Sequence, residues 1–456
     1  MLCDRTASAL VQDLQNGALR AETLMEATLA RISERNPELN AIVALRPAED
    51  LMAEARAADA VPVAERGALH GIPMAIKDLA NARGLVTSQG SPILAGQVAE
   101  TDDIFVARLR AAGVIVIGKT NTPEFGLGSH TYNPVYGPTR NVIDPTRSAG
   151  GSSGGAAVAL AAGMVPLADG SDMMGSLRNP AGWNAVYGLR PTWGWVPSEP
   201  AGDMFLHPLS TNGPMARTPE DLALLLDVMA GGDARLPLHR GARPVQPLHD
   251  DAPLRLGWLG DWGGAYPMEP GVLETCEAAL ARFEALGHSV TRVAPPFPAE
   301  KLWQSWTTLR SFAVAAGLRP LLAQRDQLKA AARWELERGM SFAAAEIQAA
   351  SDLRAAWTRA AARMFAQYDA MLLPTAQCWP FPVDWSHPQQ IAGVEMDSYH
   401  RWMEVVVPAS LIGLPALAVP AGRGAAGLPM GMQIIGPHNS DAQLLGLAAA
   451  YHAAAS

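Results

Sequence analysis

Apolar residues between positions 6 and 35 recur at helical spacing, with Leu10, Val11 and Leu14 in one stripe and Leu24, Met25, Leu29 and Ile32 in a second. Asn16-Gly17 separates the stripes and Asn36-Pro37 closes the second, which predicts two amphipathic helices. From about 68 to 215 the pattern changes to short apolar runs, such as Gly113 to Gly118, set between glycine-rich turns and alanine-rich helical stretches. That alternation predicts an α/β core of buried strands and helices. Leu254 to Leu259, His288 to Val293, Tyr368 to Pro374 and Leu414 to Pro420 read as further strands, so the C-terminal part is expected to return to the same sheet. The Pro, Gly and His-rich stretch from Gly231 to Pro253 reads as a long surface crossing. Lys301 to Arg363 reads as several helices.

Composition narrows the function classes. The 456 residues carry 35 basic and 44 acidic side chains, a net charge of −9, which builds no positive field for nucleic acid or an anionic membrane. With 49% hydrophobic and 17% charged residues, the chain suits a sizeable buried core and neither a disordered nor a fibrous protein. Cys3, Cys276 and Cys378 stand at unrelated spacings, which indicates neither a disulfide framework nor a metal site. Asp4 and Arg5 stand where a secretory signal would begin its apolar stretch, so a cytoplasmic location is expected. Seven of the twelve tryptophans fall between Trp303 and Trp402; they read either as helix packing or as the wall of an aromatic cleft for an apolar substrate.

Two short patterns mimic known chemistry. Gly113 to Thr120, GVIVIGKT, satisfies the phosphate-loop spacing, but its β-branched middle wants to be a buried strand rather than a turn of free amides. Gly151, Ser153 and Gly155 have the spacing of a nucleophile elbow, yet the residues before them, Asn141 to Ser148, are polar and interrupted by Pro145, so the strand that an elbow needs is missing. No histidine stands in a context that marks it as a base. There remain a loop of glycines and serines at a helix start, the serine-containing turn Gly170 to Pro180, and a lysine in GIPMAIKD.

At these residues the sequence resembles the amidase signature family of serine hydrolases. The resemblance runs through GIPMAIKD, GVIVIGKTNTPEFG, RSAGGSSGGAAVALAAG, GSDMMGSLRNPAG, YGLRPTWGWVPS, NGPMARTPEDLALLLDVMAG and GLPMGMQIIGPHNSD. It implies an α/β fold with a large mixed, mostly parallel central sheet flanked by helices, as a single domain over 1–456. Within it, N-terminal helices would span 1–65, a catalytic core 66–230, a helical, Trp-rich cleft region 300–400 and a return to the core 401–456. It also implies a Ser-cisSer-Lys triad with Lys77 as base, Ser152 as proton relay through a cis peptide bond, and Ser176 as nucleophile. Backbone amides of Met173, Met174, Gly175 and Ser176 would form the oxyanion hole, with Ser153, Asp172 and Arg178 supporting.

The chemistry asks something specific of Lys77. An amine of ordinary pKa about 10.4 is a base near neutrality only after desolvation, which Ile72, Met74 and Ile76 would provide. Two departures stand out. Met174 occupies a place where the family has glycine, so that its thioether is expected in or along the cleft and its backbone under strain if φ must be positive. Ser148-Ala149 opens the glycine loop where many members have proline. The resemblance implies no cofactor and no metal. The expected partner is a small apolar or aromatic amide, carbamate or ester, with no nucleic acid or membrane, and the chain is expected as a monomer or homodimer. The alternative is the amidase subunit of a tRNA-dependent amidotransferase.

Overall fold

The computed structural model describes residues 1–206, 208–237 and 252–455. Strands in chain order are β1 (Ile42–Val43), β2 (Pro73–Lys77), β3 (Ile115–Thr120), β4 (Leu167–Asp172), β5 (Tyr187–Arg190), β6 (Thr211–Ala216), β7 (Arg255–Trp258), β8 (Ser289–Arg292), β9 (Ala370–Pro374), β10 (Gln390–Ile391), β11 (Val394–Glu395), β12 (Ala416–Arg423) and β13 (Pro429–Ile435). The helices are α1 (Ala7–Asn16), α2 (Ala21–Leu39), α3 (Ala48–Asp59), α4 (Ile104–Ala111), α5 (Gly154–Ala161), α6 (Arg178–Trp183), α7 (Pro219–Met229), α8 (Val272–Ala285), α9 (Ala299–Leu318), α10 (Ala330–Ser341), α11 (Ala344–Phe365), α12 (Val407–Leu411) and α13 (Asp441–Ala453). Each strand expected from an apolar run is present. Most of the crossing expected over 231–253 lies outside the described residues.

The central sheet has eight strands in the order β4-β6-β5-β12-β13-β9-β7-β8. It is mixed, as expected, but not mostly parallel: every pairing from β4 to β9 is antiparallel, and only β9–β7 and β7–β8 are parallel. The reason is burial. The β12–β13 hairpin sits in the middle of the sheet and is almost wholly buried, so β12 reads as an apolar run, the pattern usually left by parallel strands. A smaller sheet, β1-β3-β2, pairs β2 and β3 in parallel and carries Lys77 at the end of β2.

The phosphate-loop mimic is β3 itself. Lys119 Nζ is fully buried and donates to Ala80 O and to Thr87 Oγ1 (3.1 Å). Thr6 caps α1 by accepting from Ala9 N, and Gly17 closes it in the left-handed conformation at φ 78°. Asn36-Pro37 does not end α2, which continues to Leu39. Pro37 sits in the last turn, where little of the helix is left to disrupt. Asn40 then closes α2 with a left-handed cap, while the Asn36 amide bonds Ala41 N, Ile42 N and Ile42 O.

Candidate active site

β2 delivers Lys77 into the interior, with 1% of its surface exposed. Its Nζ lies 2.8 Å from Ser152 Oγ, 2.8 Å from Ser153 Oγ and 3.0 Å from Ser171 Oγ. Burial pushes the amine down to about 7, against the pull of Asp169 and Asp172. Asp169 and Ser171 stand two apart on β4 and so share a face. The first accepts from Lys77 N (3.1 Å) and the second contacts Lys77 Nζ. Burial raises the Asp169 carboxyl to about 6. Sequence reasoning misses both residues, although their period-two spacing just ahead of the serine turn is the signal that marks them.

The glycine loop supplies the second part. The Gly151–Ser152 peptide is cis. Ser148, of the Ser148-Ala149 pair that opens this loop, ties it down: its hydroxyl lies 2.7 Å from His130 Nδ1 and accepts from Gly150 N. Burial lowers His130 to about 4, so this Ser-His pair is neutral and structural. α5 starts at Gly154, and a Cβ at Gly155 would lie 2.3 Å from Asn121 N and 2.6 Å from Ala41 O, so only glycine lets the helix start this close to β3. No strand leads into Ser153. Its hydroxyl is fully buried against Lys77, while Ser152 and Ser176 line the cavity, so the elbow geometry is absent.

The third part follows β4. Arg178 grips Asp172 with Nε–Oδ2 and Nη2–Oδ1 contacts of 3.0 Å each. Arg190 adds Asp172 O and Oδ1, and Arg178 continues to Gln433 Oε1 (2.6 Å) and Ser410 Oγ (2.7 Å). Burial would raise Asp172, but the two guanidiniums outweigh it and hold the carboxyl well below its ordinary range. Asp172 also accepts from Gly175 N (2.9 Å) and Leu177 N (3.2 Å), so it shapes the turn that presents Ser176. Of the four amides expected in the oxyanion hole, that of Gly175 is therefore already engaged, leaving those of Met173, Met174 and Ser176. Replacing Arg178 with methionine is expected to cost about 3–5 kcal/mol of stability by leaving Asp172 buried with one partner fewer, read from denaturant unfolding.

Met174 departs from expectation. The left-handed residue is Gly175 (φ 76°), and Met174 is not among the residues of positive φ. Its side chain is 4% exposed and its sulfur accepts from Trp306 Nε1 at 3.2 Å, so it packs beneath α9 rather than lining the cleft. Met173 lines the cleft instead.

Ser152, Ser171 and Ser176 open into one cavity of about 410 Å³. Its walls are mainly aliphatic, including Leu79, Leu94, Leu127, Val314, Leu318 and Leu321, with Phe125 the one aromatic ring among the lining residues. No tryptophan is among its lining residues, whereas Trp334 and Trp402 line a second cavity together with Tyr132 and Tyr399. Other indole contacts pack the interior: Trp183 stacks on Trp402 at 5.5 Å, and Trp357 Nε1 donates to Pro408 O. Among the described residues no hydrogen bond joins the Ser152 and Ser176 hydroxyls, and no group of His, Cys, Asp and Glu has the arrangement of a metal site. No described helix is long and apolar enough to cross a membrane.

A buried lysine against a serine, with a second serine presented on the same cavity by a tight turn, is an arrangement for acyl transfer. The family model for amidases matches residues 23–445. The chain belongs to the amidase signature family. This makes it an amidase-family enzyme of amide hydrolysis. An acylamidase of Rhodococcus erythropolis is 34% identical, with 98% of this chain and 95% of that protein covered. A glutamyl-tRNA(Gln) amidotransferase subunit from Thermus thermophilus is 36% identical, with 94% and 93% covered. The crystal structure of a bacterial aryl acylamidase of the amidase signature family superposes with a TM-score of 0.92 at 27% identity, covering 99% of this chain and 96% of that one.

Proposed function

We propose that the protein is a stand-alone serine hydrolase that cleaves the C–N bond of small amides through an acyl-enzyme on Ser176. The observation that carries this reading is the Lys77 amine, fully buried, lowered to about 7, and 2.8 Å from a serine that shares its cavity with Ser176. A neutral amine has two N–H bonds and one lone pair. Ser153 and Ser171 accept the N–H bonds, which leaves the lone pair for the proton of Ser152. Ser152 in turn takes the proton of Ser176 as Ser176 Oγ attacks the carbonyl carbon.

The oxyanion that forms is held by the amides of Met173, Met174 and Ser176, each donor contributing about 2.7–4 kcal/mol in comparable sites. As the C–N bond breaks, the proton returns from Lys77 through Ser152 to the departing nitrogen. Water then attacks the acyl-enzyme by the same relay, releasing the acid and restoring Ser176. Asp172, Arg178 and Gly175 shape the turn and take no part in proton transfer.

The aliphatic cavity favours an apolar acyl group, in an aryl, linear or cyclic amide, a carbamate or an ester. A panel of p-nitroanilides, p-nitrophenyl esters and aryl carbamates, assayed on the chain purified alone, tests this. Turnover of at least one member is expected; turnover only after a partner protein is added favours the second reading, an amidotransferase component, for which the Thermus thermophilus relative speaks.

A further inference from the structure

Arg310 is the one charged side chain among the residues lining the cavity of Ser176, and it is 3% exposed. A guanidinium taken out of water needs an acceptor for each of its five N–H bonds. Two are well met: Nε donates to Glu335 Oε1 (2.8 Å) and Nη2 to Tyr399 Oη (2.8 Å), which itself donates to Glu335 Oε1. A third points at Met173 Sδ (3.2 Å), and a thioether is a weak acceptor. Among the described residues no acceptor meets the remaining two. The side chain therefore stands on a buried support with its hydrogen bonding incomplete on the Met173 side, where Met173 lines the same cavity.

Charge decides what fits there. Glu335 is fully buried and already neutralises Arg310, and Ser311 and Tyr399 hold it. A ligand carboxylate would meet that charge at short range between aliphatic walls, at high cost. A neutral oxygen meets no such penalty and is a stronger acceptor than sulfur.

We propose that Arg310 determines specificity by donating a hydrogen bond to a neutral oxygen in the acyl part of the substrate, replacing its contact with Met173. This rests on the reading that Ser176 is the nucleophile and that the acyl group enters this cavity. The cleft then selects among apolar acyl chains for those with an ether, alkoxy or second carbonyl oxygen at the right distance from the scissile bond.

The test is a set of acyl p-nitroanilides of equal chain length in which one methylene is replaced by oxygen, beginning beside the carbonyl, as in a carbamate, and moving outward. The readout is the kcat/KM of each oxygen-bearing substrate divided by that of its all-carbon parent. For the wild type this ratio is expected to reach about tenfold or more at one position. Met173→Leu, which keeps the volume and removes the competing sulfur, is expected to raise it. Arg310→Met combined with Glu335→Gln, which removes both members of the ion pair, is expected to bring the ratio to about one, and Arg310→Lys is expected to lower it while keeping a cation beside Glu335.

A wild-type ratio near one at every position would overturn the proposal. So would a ratio that persists in a folded Arg310 variant. Ser176→Ala run on the same panel separates the two levels: its retained turnover would reject the nucleophile assignment, whereas its inactivity together with a flat wild-type ratio would reject only the role of Arg310.

Discussion

Ser176→Ala is expected to lower amide turnover by about ten-thousandfold or more while leaving the melting temperature unchanged. The loss is large because no other hydroxyl in the cavity combines exposure to substrate with adjacent free amides. Ser152 lines the cavity but is occupied by Lys77, and Ser153 is sealed beneath it. Stability is spared because the Ser176 side chain makes no hydrogen bond to the described residues, and its carbonyl, which accepts from Ser153 N at 3.2 Å, is kept by alanine. Mass spectrometry after fluorophosphonate treatment is expected to place the adduct on Ser176. An adduct on Ser153 would restore the elbow reading.

Lys77→Met is expected to have a comparable effect on activity and, unlike Ser176→Ala, to raise stability at neutral pH. The folded amine has a pKa of about 7 against 10.5 for an ordinary lysine. Between these values the unfolded chain binds a proton that the folded chain does not, so the contribution of Lys77 to stability improves as pH rises through that window. Below about 7 the cost of burying the amine is carried in full. Methionine removes that cost, so the variant is expected to melt above the wild type at neutral pH while turning over little substrate. A melting temperature well below the wild type would show that the contacts to Ser152, Ser153 and Ser171 are worth more to the fold than desolvation costs it.

What the sequence discloses follows from how local each signal is. The run of β-branched residues in GVIVIGKT makes β3 legible and disposes of the phosphate-loop mimic, because side-chain shape and strand burial act on the same few residues. Strand direction is not legible: β12 and β13 are buried, and buried antiparallel and parallel strands carry the same apolar pattern. The arrangement of Lys77, Ser152 and Ser176 is reached through the resemblance of ordered motifs, not through spacing, since nothing in the residues around each one distinguishes it from a solvated lysine or a turn serine.

Long-range pairings account for the rest. Met174 is expected in the cleft from sequence because its partner, Trp306, lies far along the chain, and only the fold puts an indole N–H 3.2 Å from its sulfur. Composition reports how many rings the tryptophan cluster has, not which cavity they face: Trp334 and Trp402 line one other than that of Ser176. Arg310 and Glu335 are one residue pair among many charges on helices that read as ordinary amphipathic segments, and their burial against the cavity is invisible without tertiary structure.

The most direct test of the central claim, that a neutral Lys77 activates Ser176 through Ser152, is the rate of fluorophosphonate labelling of Ser176 as a function of pH. The rate should rise through a single inflection near 7 and then level off, and Lys77→Met should abolish both the rise and most of the rate. A wild-type rate that is flat from mildly acid to mildly alkaline pH, or an inflection that survives in Lys77→Met, would contradict it.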